Sequence, residues 1–175
     1  MYITIRSDLH HILFKNIVAS LTQIRYFVNM NLLDKVSNIM STDVICVNED
    51  DTLASVRHIF QRHRIHHIPV LRDGLFVGIL SKSDFSFFKK GFNDNPNNKI
   101  IQDVRLNNYT AKDIMTTKVA KLSKDDRINV VLEIFKENLF HAIPIIEDEK
   151  IVGIVTTYDI IKALADAKDV VSEYN

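Results

Sequence analysis

The chain has 175 residues, enough for one or two small domains that each bury a core, and no single type of residue dominates it. Apolar residues make up 46% and charged residues 25%, ordinary proportions for a globular protein. Lys plus Arg and Asp plus Glu balance at 22 each, so no net field exists to recruit nucleic acid or an acidic membrane surface.

The first residues, "MYITIRSDLHHILFKN", mix charge and histidine into their apolar positions and lack the continuous core of a signal peptide. Nowhere does the chain approach the roughly 18 consecutive apolar residues that suggest a membrane span. The single Cys46 rules out an internal disulfide and a four-cysteine zinc site. A reducing, cytoplasmic setting is the expectation. Leu9, Leu13, Ile17, Leu21, Ile24 and Val28 recur at helical spacing, which predicts a leading amphipathic helix over 9–28. Its expected use is packing against the rest of the chain or a partner subunit. Met30 is an alternative start.

From residue 36 onward the chain contains itself twice. Residues 36–85 align without a gap to residues 111–160 at a constant offset of 75, with about 17 of 50 positions identical. Matched pairs include Met40/Met115, Phe60/Phe135, His66/His141, Pro69/Pro144, Gly78/Gly153 and Asp84/Asp159. Each copy opens with a Met-Ser/Thr segment and a predicted strand, "VICV" over 44–47 or "VAKL" over 119–122. Asp50 and Asp51, or Asp125 and Asp126, are expected to open an amphipathic helix, favouring its macrodipole and free N–H groups. Leu53, Val56, Ile59 and Phe60 mark that helix in one copy, and Ile128, Val131, Leu132 and Phe135 in the other. Two apolar runs follow, "HIPVL" and "LFVGIL" across Asp73-Gly74, then "AIPII" and "KIVGIV" around Asp148. A closing helix ends each copy. The fold class is therefore α/β (α+β), two β-α-β-β-α repeats preceded by a helical extension. The expected divisions are 1–33 for the extension, 34–90 and 109–168 for the repeats, and 91–108 for a linker with the polar centre "NDNPNN".

Both copies end in glycine, two apolar residues, a hydroxyl residue, two variable residues and aspartate: "GILSKSDF" and "GIVTTYDI". Ser81-x-x-Asp84 and Thr156-x-x-Asp159 fit a capping box at a helix start. The glycine three residues earlier sits in the last strand, where it marks close approach of a ligand or of another backbone. A strand feeding a helix N-terminus also presents N–H groups suited to a phosphate, and an aspartate one turn in can accept two ribose hydroxyls. Capping and ligand binding are compatible uses of the same residues.

The pattern M-[ST]-x-x-[VI] … H-x-I-P … D … V-G-I-[LV]-[ST]-x-x-D, present twice in register, resembles the CBS domain (named after cystathionine β-synthase), and the tandem resembles a Bateman module. The resemblance covers about 100 of the 175 residues. It implies two units related by a pseudo-twofold axis, commonly pairing again as a homodimer in a four-domain disc. It also implies two clefts for adenosine nucleotides such as AMP, ADP or ATP, or for derivatives such as S-adenosylmethionine. Carried over residue by residue, one cleft takes Ser81 and Asp84, with Thr42, Asp43 and Val44 near the base. The other takes Thr156 and Asp159, with Thr117, Lys118 and Val119 near the base. Basic residues just before the repeated proline meet the phosphates in nucleotide-binding members. Arg64, His66, His67 and His141 are then expected at the Asp159 cleft, whereas the Asp84 cleft meets Leu139 and Ala142. The Asp159 cleft is the expected stronger site. His66 and His67 are adjacent on a strand and so point to opposite faces unless the strand ends or bulges there.

A metal cluster of His58, His63, His66 and His67 is disfavoured, because His58 and His63 diverge by about 140° on a helix. No Ser-His-Asp order, nucleophile elbow, Walker loop or paired catalytic acids are found, so an enzyme is not expected. The expected function is a regulatory module that binds an adenine nucleotide, needs no cofactor and modulates a protein partner. The alternative is a ligand-free dimerisation scaffold.

Overall fold

In a computed structural model of the chain, residues 30–91, 99–138 and 141–166 are described. The predicted leading helix and the centre of the linker lie outside them. The first repeat contains β1 (Val47–Asn48), α1 (Leu53–Arg62), β2 (His67–Arg72), β3 (Leu75–Ser81) and α2 (Lys82–Lys90). Next comes α3 (Lys99–Asn108), a helix within the span expected as linker. The second repeat contains α4 (Ile128–Asn138), β4 (Ala142–Glu147), β5 (Lys150–Thr156) and α5 (Thr157–Asp166). Strands β2 and β3 start 75 residues before β4 and β5, as do α1 and α2 before α4 and α5. The repeat read from the sequence is thus a repeat of structure.

The hairpins form where the turn chemistry is suited to them. Asp73 and Gly74 both have positive φ, 51° and 80°, the requirement of a tight two-residue hairpin turn. The second copy bends the same way at Asp148 and Glu149, with φ of 49° and 61°. Both hairpins shift register at the same place, Val70/Leu71 and Ile145/Ile146.

Two expectations need correction. The strands predicted over 44–47 and 119–122 shrink to the parallel pairing of Val47 and Asn48 with Val70 and Leu71, and to one bridge between Leu122 and Ile145. A tight turn explains the loss: Val44 N–H bonds Thr42 O and Val119 N–H bonds Thr117 O, both at 3.1 Å. This turns Val44 and Val119 toward a small central cluster of Ile79, Ala142 and Ile154 instead of into a ladder. The paired aspartates also precede their helices rather than opening them. Thr52 is the N-cap of α1, accepting Ser55 N–H at 3.3 Å, and no acid lies in the first turn. Asp51 and Asp126 close local turns by accepting from Asn48 and Ser123 backbone N–H, each at 2.8 Å. Asp50 and Asp125 instead reach Lys112 and Lys35 of the opposite repeat's opening segment, each at 2.6 Å.

Those contacts belong to a larger exchange. The opening segment of each repeat is buried in the core of the other. Val36, Ile39 and Met40 pack with Ile128, Val131, Ile143, Val155 and Ile160, while Ala111, Ile114 and Met115 pack with Leu53, Val56, Ile68, Leu80 and Phe85. The backbones pair as well: Ser41 and Ile154 exchange two hydrogen bonds at 2.9 Å, and Ile79 and Thr116 exchange two at 2.9 and 2.8 Å. Such proximity explains the repeated glycines. A Cβ on Gly78 would lie 2.8 Å from Thr116 O, and one on Gly153 would lie 2.6 Å from Met40 Sδ. The glycines admit a crossing backbone.

Gly78→Ala should therefore cost about 1–3 kcal/mol, the usual penalty of overpacking. Gly153→Ala should cost less, because a methionine side chain can yield where a backbone carbonyl cannot. Urea unfolding of both variants checks this, and an unchanged midpoint for Gly78→Ala would refute it.

Candidate functional site

Each closing strand hands over to its helix at a hydroxyl residue. Ser81 Oγ accepts Asp84 N–H at 3.0 Å and donates to Asp84 Oδ2 at 2.6 Å, while Ser81 N–H reaches the same oxygen at 3.2 Å. Thr156 and Asp159 repeat the arrangement at 3.3, 2.6 and 2.7 Å. Both capping boxes are formed, and both carboxylates are held half-buried at the seam between the repeats.

The two aspartates differ in their second oxygen. Ser41 Oγ donates to Asp159 Oδ1 at 3.2 Å. Among the described residues no hydrogen bond reaches Asp84 Oδ1. Thr116, the counterpart of Ser41, pairs by backbone with Ile79 on the strand leading to Asp84. The crossing therefore joins the segments the other way round from the expectation. The stretch leading into Thr42, Asp43 and Val44 runs beside Asp159, and the stretch leading into Thr117, Lys118 and Val119 runs beside the Asp84 strand. Ser41 escaped notice in the sequence because only the fold brings residues 118 positions apart together.

The histidines also distribute by fold. His66 O accepts Lys82 N–H at 2.8 Å and His141 O accepts Thr157 N–H at 3.2 Å, so each sits over its own repeat's closing helix. His66 is exposed and His67 half-buried, in keeping with the alternation of adjacent strand positions. Burial lowers the His67 pKa below its ordinary 6.5, and His141 and then His66 lower it further, while Asp84 acts in the opposite sense. The carboxylate that influences His67 is thus Asp84, not Asp159. Arg64 is exposed two residues beyond the end of α1, and Ala142 is buried in the central cluster, while Leu139 lies outside the described residues.

An open groove of about 670 Å³ runs along α2, lined by His66, Lys82, Ser83, Asp84, Ser86, Phe87 and Lys90. All of these residues come from the first repeat; two ammonium groups, an imidazole and a helix N-terminus, with a carboxylate half free among them, suit a ligand carrying both hydroxyls and negative charge. Among the described residues, no group of three His, Cys, Asp or Glu is placed to hold a metal ion. No described helix is long and apolar enough to cross a membrane.

Protein MJ1426 of Methanocaldococcus jannaschii is 29% identical over 152 residues, covering 74% of this chain and 90% of its own. Among solved structures, the CBS domain pair of protein MJ0100, in complex with 5'-methylthioadenosine and S-adenosyl-L-methionine, superposes with a TM-score of 0.61 at 23% identity. That match covers 77% of this chain and 98% of the other. Protein MJ1225 of Methanocaldococcus jannaschii, a proposed archaeal homolog of g-AMPK, superposes with a TM-score of 0.63 at 23% identity, covering 76% of this chain and 48% of its own. The profile of the CBS domain matches residues 36–89 and again 111–166, the same two stretches that fold here as entwined repeats. The chain belongs to the CBS-domain family, as a tandem pair.

Proposed function

We propose that this CBS pair is a regulatory module that binds an adenosine-containing ligand in the seam between its repeats and alters the activity of a partner protein. The observation that carries the reading is the pair of half-buried carboxylates, each fixed by its capping box where two repeats meet. A carboxylate so fixed needs no reorganisation to accept ribose hydroxyls. The complex of the MJ0100 pair with two adenosine derivatives supports the choice of ligand class. Regulation would operate by population shift, since a ligand touching both repeats favours whichever arrangement binds it better.

The geometry supports Asp84 as the leading cleft, which reverses the order expected from the phosphate histidines. Asp84 keeps one oxygen free and opens onto the groove with His66 and Lys82, whereas Asp159 already receives Ser41. A second reading, self-assembly, is favoured by an apolar stripe on α5. Tyr158, Ile161 and Leu164 are 70%, 62% and 44% exposed, and their first-repeat counterparts are Ser83, Ser86 and Lys89. A homodimer forming a four-domain disc would cover this stripe, and the two readings are compatible.

Thermal unfolding with AMP, ADP, ATP and S-adenosylmethionine tests the ligand reading. A ligand at 100 times its Kd should add about 2.7 kcal/mol of stability. Asp84→Asn should weaken that ligand at least about tenfold while retaining the helix cap, and Asp159→Asn should change it little. No shift with any of the four at millimolar concentration would leave the scaffold reading in place. In sedimentation, Ile161→Glu should convert a dimer to a monomer; an unchanged dimer would place the interface elsewhere.

The position of His67 makes a pH dependence. Because the fold lowers its pKa, the unfolded chain takes up that proton first, so stability holds above pH 6.5 and falls as pH drops below it. One such group contributes at most about 1.4 kcal/mol per pH unit. His67→Gln should flatten the fall between pH 6.5 and 5.5, and equal slopes for the two proteins would exclude it. An anionic ligand beside His67 favours the protonated ring, so its affinity should rise over the same interval.

A further inference from the structure

The repeat gives α2 and α5 the same inner face and opposite outer faces. Phe85 and Ile160, matched at the offset of 75, are both buried in their cores. On the outer side of α5, Tyr158, Ile161 and Leu164 are exposed at a spacing of three, which makes one apolar stripe. Their α2 counterparts are Ser83, Ser86 and Lys89, all exposed. Lys82 and Lys90 add charge to that face, and no exposed acid of α2 offsets it. Phe87, the one large exposed apolar side chain of α2, lines the groove.

We propose that two copies of the chain pair α5 against α5, about a twofold axis at Ile161. This orientation rests on the reading of the chain as a self-assembling module. The stripe is complementary to itself. Tyr158 and Leu164 lie three residues on either side of Ile161, so such an axis sets Ile161 on its own copy and each Tyr158 on the other Leu164. Every exposed apolar side chain of the stripe thereby meets an apolar one. The rival pairing sets α5 on α2 of the other copy. At the same register Tyr158 then meets Lys89, Ile161 meets Ser86 and Leu164 meets Ser83. That arrangement strips water from two hydroxyls against side chains that cannot hydrogen-bond them, and does so at both symmetry-related contacts. Where α2 approaches its own copy, Lys82, Lys89 and Lys90 repel their counterparts, so the pair closes on α5 and stays open at α2. The groove beside His66 and Lys82 remains accessible to an anionic ligand.

Cross-linking of single cysteines in a full chain carrying Cys46→Ser tests the orientation. Ile161 is 62% exposed, so Ile161→Cys leaves the core intact. Under mild oxidation that variant should form a covalent dimer at least about tenfold faster than Lys150→Cys, an exposed control outside α5, because pairing raises the local thiol concentration. Equilibrated with a size-tagged Ser86→Cys chain before oxidation, it should still cross-link to itself in preference. A dominant cross-link between the two different variants would overturn the α5-on-α5 pairing and leave self-assembly standing. Equal rates for Ile161→Cys and the control, in a chain that sediments as a dimer, would do the same. A chain that sediments as a monomer at the concentrations used would overturn both.

Discussion

The structure depends on two backbone crossings. At Gly78 and at Gly153, the opening segment of the opposite repeat passes so close that a methyl group would meet it within 3 Å. The crossings let Val36 and Ala111 become fully buried in cores that their own repeats do not contain. Full burial of a valine side chain contributes about 1.5–3 kcal/mol and of an alanine methyl about 0.8 kcal/mol, so each repeat's core gains stability from the other.

The same crossings build the seam where the candidate ligand groups sit. A strand that ends beneath a foreign segment brings its helix N-terminus, hydroxyl and carboxylate to the boundary between repeats. The matching hairpins and capping boxes then leave side chains to distinguish the two ends. Ser41 engages one carboxylate, whereas Thr116 leaves the other half free, and the outer faces of α2 and α5 diverge from polar to apolar. The repeat supplies two matching frames, and single substitutions give them different side-chain contacts.

Much of this was legible in advance. The 75-residue offset, the hairpin turns and the Ser81 and Thr156 helix starts all rest on local chemistry that neighbouring residues carry. The short first strands were not legible, because the apolar runs of "VICV" and "VAKL" look the same whether they enter a ladder or turn into a central cluster. Nor was the destination of Asp50 and Asp125, since an acid beside a helix start and an acid facing a lysine of the opposite repeat have identical local sequence.

By itself, then, the sequence determined the repeat, its elements, its family resemblance and the two capping boxes, because periodicity and short-range hydrogen bonding act within a few residues. Only the tertiary structure decided which opening segment runs beside which closing strand. That choice depends on backbone contacts between residues more than 100 positions apart in one case and 37 in the other, Ser41 with Ile154 and Ile79 with Thr116. No spacing in the chain encodes it. The glycines that permit the crossing are visible in the sequence, but what crosses them is settled by packing.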